Sequence, residues 1–275
     1  LLLRYIAVGG LPAAVNKLLE TGNIGKVNDI HHSILKEYRD DMVKYAANEG
    51  KARIRECFDS IPKHLSKENK KFQYSVVRKG GRSAMYLGSL QWLEDAGIIM
   101  RCYNLTETGL PLEGYADKDV FKVYVSDIGL LVSMLGDATR ADIINGHIDG
   151  FKGAIFENLM ADTLIKKQQN LYYYHKESGM ELDFLIRHNG NCVPIEVKAT
   201  SNQAKSLSTV LKNTDKYHIA QAIKFGDYNI GRNGNMLTLP FYMEFLLNLE
   251  PEDIALEKID TDALINAARE FRQKG

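Results

Sequence analysis

The sequence predicts an α+β or α/β protein, with a helical region over residues 1–136, an αβββαβ region with a mixed sheet over residues 137–248, and a polar helical tail over residues 249–275. Three observations predict it. Apolar residues recur at helical spacing through most of the first 135 positions. From Gly150 onward, helical and alternating stretches take turns, the pattern of helices packed on a mixed sheet. Between two alternating runs stands Asn189-Gly190, the strongest two-residue hairpin signal, because a type I′ turn needs φ > 0 at both central positions.

In the first region, Pro12 opens a short helix after Gly9-Gly10, at the first-turn position that proline favours. Ile24 to Tyr45 and Lys51 to Ile61 read as amphipathic helices, the second stopped at Pro62. Ser83 to Asp95 reads as a helix ended by Gly97, with Trp92 expected in the core and His31-His32 on the surface. Two strand-like runs, Ile98 to Leu105 and Val120 to Val125, flank a Gly/Pro-containing loop. Helices followed by such a flap predict a winged-helix-like domain. Lys70, Lys71, Arg78, Lys79 and Arg82 then form either a phosphate-contacting patch for DNA or a solvated face. The helix from Ser83 ends in Glu94-Asp95 and offers few side chains to bases, which favours a helical interaction domain over base reading. Gly22 to Val27 lacks the glycine spacing and the Ser or Thr of a phosphate loop, so no nucleotide site is expected in this chain.

The second region reads as a helix from Lys152 to Gln168, a strand from Leu171 to His175, the hairpin, a helix from Gln203 to about Tyr217 and a strand from Ala220 to Phe225. Leu237 to Leu247 is an apolar segment of either type. Pairing outward from the turn puts Asp183 opposite Glu196 and Glu181 opposite Lys198. Leu182, Phe184, Ile186, Val193, Ile195, Val197 and Ala199 then form an apolar face. The other face carries Asp183 and Glu196 as a close pair with Cβ atoms about 5 Å apart, where like charges repel unless compensated. One reading is a solvated face with an ordinary Glu/Lys pair. The other is a site for Mg²⁺ or Mn²⁺, which takes one or two carboxylates and leaves room for water and phosphate, with Lys198 holding a phosphate oxygen or orienting water. Glu157 falls on the stripe of Gly153, Met160, Ala161 and Leu164, where a carboxylate needs a partner. It is either a third acid of the site or the partner of a lysine or a backbone group.

Composition sets the bounds. The chain of 275 residues is 45% apolar and 25% charged, which excludes disorder, and no apolar run reaches membrane-spanning length. Lys+Arg 35 balances Asp+Glu 35, so any nucleic-acid contact is local. Cys57, Cys102 and Cys192 are far apart and odd in number, as expected of reduced thiols in a cytoplasmic protein without a zinc site. The chain starts at Leu1-Leu2-Leu3 and is expected to be a fragment of something longer.

The αβββαβ order with Glu157, Asp183 and Glu196-Val197-Lys198 resembles the PD-(D/E)xK nuclease superfamily, with Leu182 where the eponymous proline stands. That resemblance implies a restriction-endonuclease-like fold. It also implies Glu157, Asp183, Glu196 and Lys198 as catalytic residues, the three acids as ligands of Mg²⁺ or Mn²⁺, and DNA as substrate. A narrower resemblance rests on Gly9-Gly10-Leu11-Pro12, Lys71-Phe72-Gln73-Tyr74-Ser75, Trp92 to Gly97, Lys122 to Leu131, Phe156-Glu157-Asn158 and Glu181-Leu182-Asp183-Phe184, in that order. Together they resemble DUF4143, the domain of unknown function that follows the P-loop module of AAA-type ATPases, over roughly residues 1 to 247. This implies an ATPase domain upstream of Leu1 as partner. Either the nuclease-like domain cuts, or it serves as a non-catalytic nucleic-acid- or protein-binding module.

Overall fold

The computed structural model describes residues 1–45, 48–68, 70–148, 150–198 and 205–247. The predicted polar tail, Ala199 and the predicted helix start at Gln203 lie outside the described residues. Helices α1 (Leu2–Val8) and α2 (Pro12–Thr21) are separated by Gly9, Gly10 and Leu11, with Pro12 in the first turn where its missing N–H costs nothing. Gly22, in the left-handed conformation, ends α2. The Asn23 side chain then accepts the Gly25 N–H at 2.8 Å and opens α3 (Ile24–Tyr45). Helix α4 (Asn48–Leu65) corrects the expectation of a stop at Pro62, for the proline lies inside it. Burial of Ile61, His64 and Leu65 carries the helix one turn further, and the Ser66 hydroxyl donates to the Pro62 carbonyl at 2.7 Å.

After α5 (Tyr74–Val77) and α6 (Ser83–Asp95) the chain enters β1 (Ile99–Leu105) and β2 (Ala116–Val125), then α7 (Ile128–Leu135), α8 (Asp137–Ile144) and α9 (Lys152–Lys166). The second half continues with β3 (Tyr172–His175), β4 (Glu181–His188), β5 (Asn191–Lys198), α10 (Lys205–Lys212), α11 (Thr214–Tyr217), β6 (Ala222–Gly226), β7 (Gly231–Asn233) and β8 (Met236–Pro240). A 3-10 helix, Phe241–Leu246, follows. The eight strands form one mixed sheet in the order β2-β1-β3-β4-β5-β6-β8-β7. Strands β1 and β2 pair antiparallel, as their flap predicts, but β1 also pairs in parallel with β3, so both halves of the chain share one sheet. Among the described residues no single helix is long and apolar enough to cross a membrane.

Both faces of the sheet are covered. One packs against α9 and α7, with Tyr173, Phe184, Ile186 and Ile195 meeting Phe156 and Met160. The other packs against α10 and α11, where Leu185 and Cys192 meet Leu207, Val210 and Tyr217. The face expected to be polar is therefore largely apolar along its length. Trp92 is partly buried against the first core, whereas His31 is fully buried and His32 exposed. The surface expectation thus fails for His31, which Arg140 contacts at 2.9 Å through Nδ1.

The hairpin keeps the predicted register from His188↔Asn191 to Phe184↔Ile195, with Asn189 and Gly190 both at positive φ. Beyond that point the ladder changes. Tyr172 pairs with Leu185 but Tyr174 pairs with Leu182, so Asp183 and Phe184 together oppose Tyr173. This one-residue bulge turns Leu182 into the cluster around Leu185 instead of the face of Phe184, correcting the predicted alternation. Glu181 pairs with His175 of β3, and on the other side the β4–β5 ladder ends at Phe184↔Ile195, so the predicted pairing of Glu181 with Lys198 does not form.

Candidate functional site

The bulge positions the acids. With the regular ladder broken at Asp183, its Oδ2 accepts the Val197 N–H at 2.8 Å, a donor that strict register would give to the β4 backbone. Asp183 and Glu196 are therefore not a ladder pair, yet both line one cavity of about 280 Å³ with Lys70, Glu157, Glu181 and Lys198. The cavity sits where the C-terminal end of β5 meets the N-terminal end of β4 and the side of α9. The hairpin acids, the helix acid and Lys198 are thus brought together.

Glu157, Glu181 and Glu196 each have a lysine partner. Glu157 is buried on α9. Its Oε1 accepts from Lys70 Nζ at 2.6 Å and its Oε2 from the Tyr124 hydroxyl at 3.2 Å, with Lys122 Nζ 3.6 Å away. Burial pushes this carboxyl up, but Lys122 and Lys70 outweigh burial and hold it below the ordinary range. Lys122, itself buried, also meets Glu181 at 2.5 Å and lies 4.8 Å from the centre of the Tyr173 ring. Burial disfavours its charge, but Glu157, Glu181 and Asp183 outweigh burial and keep it protonated. Lys198 is ion-paired with Glu196 Oε1, while Glu196 Oε2 is buried without a hydrogen-bond partner. Burial and the charges of Glu196 and Glu157 push Asp183 well above the usual carboxylate range. Burial likewise raises Glu196 against the opposing pull of Lys198.

Of the five predicted phosphate contacts, Lys70 turns inward to Glu157 and leaves the group. Lys71 is half-buried, and its backbone bridges that of Lys122 at the sheet edge. Arg78, Lys79 and Arg82 are exposed around Gly80-Gly81, with the Arg78 guanidinium 3.7 Å from Glu56. Sequence reasoning missed Lys122 and Tyr124 as members of the site. Their signal lay in Phe121-Lys122-Val123-Tyr124-Val125, a lysine at an inward position of an apolar strand, which demands a buried carboxylate.

A cation fits two of the three acids best. Among the described residues, no group of three or more His, Cys, Asp or Glu is placed to hold a metal ion. Asp183 and Glu196, however, both line a polar cavity, and Glu196 Oε2 is a bare carboxylate oxygen, the donor type that a hard cation takes in ones and twos.

Fold and site thus define an α+β protein whose mixed sheet carries an acid–lysine cavity built from both halves of the chain. It belongs to the family described as a domain of unknown function, DUF8612, which matches residues 1–141. Residues 152–242 match a second domain of unknown function, DUF4143. The resemblance expected over residues 1 to 247 is therefore divided between two families. No curated protein and no solved structure matches the chain.

Proposed function

We propose that the cavity is a divalent-cation-dependent DNA phosphodiesterase site within the C-terminal accessory region of an AAA-type ATPase. The observation that carries the catalytic reading is the buried, unpartnered Glu196 Oε2, in a residue that lines the same polar cavity as Asp183. Asp183 and Glu196 would hold Mg²⁺ or Mn²⁺. The bound ion supplies positive charge for a phosphoryl oxygen and lowers the pKa of water. Lys198, ion-paired to Glu196 and about one-third exposed, is the group placed to hold a phosphate oxygen or align a water. Glu157 acts indirectly, by fixing Lys70 and Lys122. The chain with Mn²⁺ and duplex DNA should yield cut strands, and Lys198→Ala should lower the rate by 10²-fold or more, on the scale of lost positioning and charge stabilisation. Absence of cutting, or an unchanged rate in Lys198→Ala, sinks this reading.

A specific observation favours a second reading, a non-catalytic nucleic-acid- or protein-binding module. Glu157, the helix acid, is already neutralised by two lysines. DNA binding that is indifferent to EDTA, with no cutting in Mn²⁺, would select it. The ATPase connection rests on the ordered motifs from Gly9 to Phe184 and on the match to residues 152–242. A GxxxxGK[ST] loop encoded upstream of Leu1 tests it directly.

A further inference from the structure

The acids of the cavity divide into two groups with different compensation. Glu157 and Glu181 share Lys122, whose ammonium lies 3.6 Å from one and 2.5 Å from the other, and Glu157 has Lys70 besides at 2.6 Å. Lys122 is only 1% exposed, so it stands behind the cavity wall and does not exchange with solvent ions. Of the other two, Glu196 has Lys198 and Asp183 has only the Val197 N–H, and one carboxylate oxygen, Glu196 Oε2, is left bare and buried. Leaving aside the solvated Glu68 at the rim, the four carboxyls, once Asp183 gives up its proton to a cation, face three ammonium groups and leave one negative charge uncompensated. One divalent cation reverses that sign and makes the cavity receptive to a phosphodiester anion. Two would leave a surplus of three positive charges against the same walls, which the low dielectric of a buried site penalises.

Resting on the proposed cation-dependent reading, we infer that the site takes a single divalent cation, held by Asp183 and Glu196, and that Lys122 occupies as a fixed internal cation the place where a second ion would sit between Glu157 and Glu181. Lys122 comes from β2, in the region matched to DUF8612, whereas the acids come from the region matched to DUF4143. The first region therefore sets the number of ions that the second can hold. Lys122 is in this sense a positioning residue, acting on the cavity through Glu157 and Glu181 and not on the substrate.

Titration of the full chain with Mn²⁺, read by calorimetry and by the loss of the free-ion electron paramagnetic resonance signal, tests this without any activity measurement. The expected result is one ion per chain, abolished by Asp183→Asn and retained within about threefold affinity in Glu157→Gln, since a group already neutralised by lysines contributes little to the ion. Two ions in the wild type overturn the inference but leave the cation site standing, and so does loss of the single ion in Glu157→Gln. No ion in the wild type brings down the cation reading itself. In Lys122→Met, where a cooperative melting transition shows that the variant folds, the emptied position should admit a second Mn²⁺. A count that stays at one removes Lys122 from the role.

Discussion

The carboxylate of Asp127 accepts the backbone N–H of Gly10 through Oδ2 at 2.7 Å, and through Oδ1 it caps α7 by accepting the Leu130 N–H at 2.9 Å. One side chain thereby ties the turn between α1 and α2 to a helix that begins more than a hundred residues later. Gly9 is needed beside it, for its φ is +74° and a Cβ there would lie 2.3 Å from Asp127 Oδ1. Asp127→Ala should cost about 2–4 kcal/mol, the sum of a lost cap and a lost charged hydrogen bond. Gly9→Ala should cost a comparable amount. Urea unfolding midpoints measure both, and a change below about 0.5 kcal/mol in either would show that the tie does not hold α1 in place.

Lys122 is a fully buried charge that two carboxylates hold. Removing one partner of a buried ion pair leaves the others uncompensated and costs about 3–5 kcal/mol, so Lys122→Met should lower stability by that order. Glu157→Gln added to it should recover part of the loss, because the carboxylate left bare is then neutral. A double-mutant cycle with no coupling would contradict the ion network.

His31 supplies a pH dependence. Burial first, and then the positive charge of Arg140, lower its pKa from 6.5 to about 4. Asp127 pulls the other way, and His32 adds a smaller lowering effect. The folded state holds the imidazole neutral while the unfolded chain takes up a proton below pH 6.5. Stability should therefore fall as pH drops from about 6.5 to 4, by an amount on the order of 3 kcal/mol, and change no further through this group below that. Comparing the pH slope of the unfolding midpoint in wild type and His31→Gln checks it, with a flatter slope expected in the variant.

Glu244 works in the opposite sense. It is fully buried in the 3-10 helix, with neither carboxylate oxygen hydrogen-bonded among the described residues. Burial and the Asp162 charge push it well above the usual carboxylate range, against the pull of Lys166 and of the neighbouring Thr163 hydroxyl. A raised carboxyl is harmless while both states are protonated and costs stability as pH rises toward its folded pKa. Glu244→Gln should therefore stabilise the protein at pH 7 by about 1–3 kcal/mol, and the gain should vanish near pH 4. Equal gains at both pH values would mean that ionisation is not the cause.

The elements with strong local signals were legible in the sequence. Helix α3 spans the predicted residues, α6 does too, and Asn189-Gly190 set the hairpin register out to Phe184↔Ile195. What failed was decided by packing between distant segments. The bulge at Asp183 depends on the pairing of β3 with β4, which no local pattern encodes. Helix α4 continues past Pro62 because its last turn is buried. The candidate acids Glu157, Asp183 and Glu196 were recognisable by spacing and share one cavity. Lys198 was too, but the lysine partners of Glu157 were not, since Lys70 and Lys122 arrive from the other half of the chain.

The parallel contact of β1 with β3, at Tyr103↔Tyr172 and Asn104↔Tyr173, joins the segments on either side of the junction between the two matched regions. A chain severed between residues 141 and 152 would bare the backbone donors and acceptors of two strand edges, the sort of edge that invites promiscuous pairing and precipitation. The C-terminal piece would also hold its acids without the ammonium of Lys122. Two regions matched to separate families contribute strands to one sheet in this molecule, so biochemical work on either should begin with both.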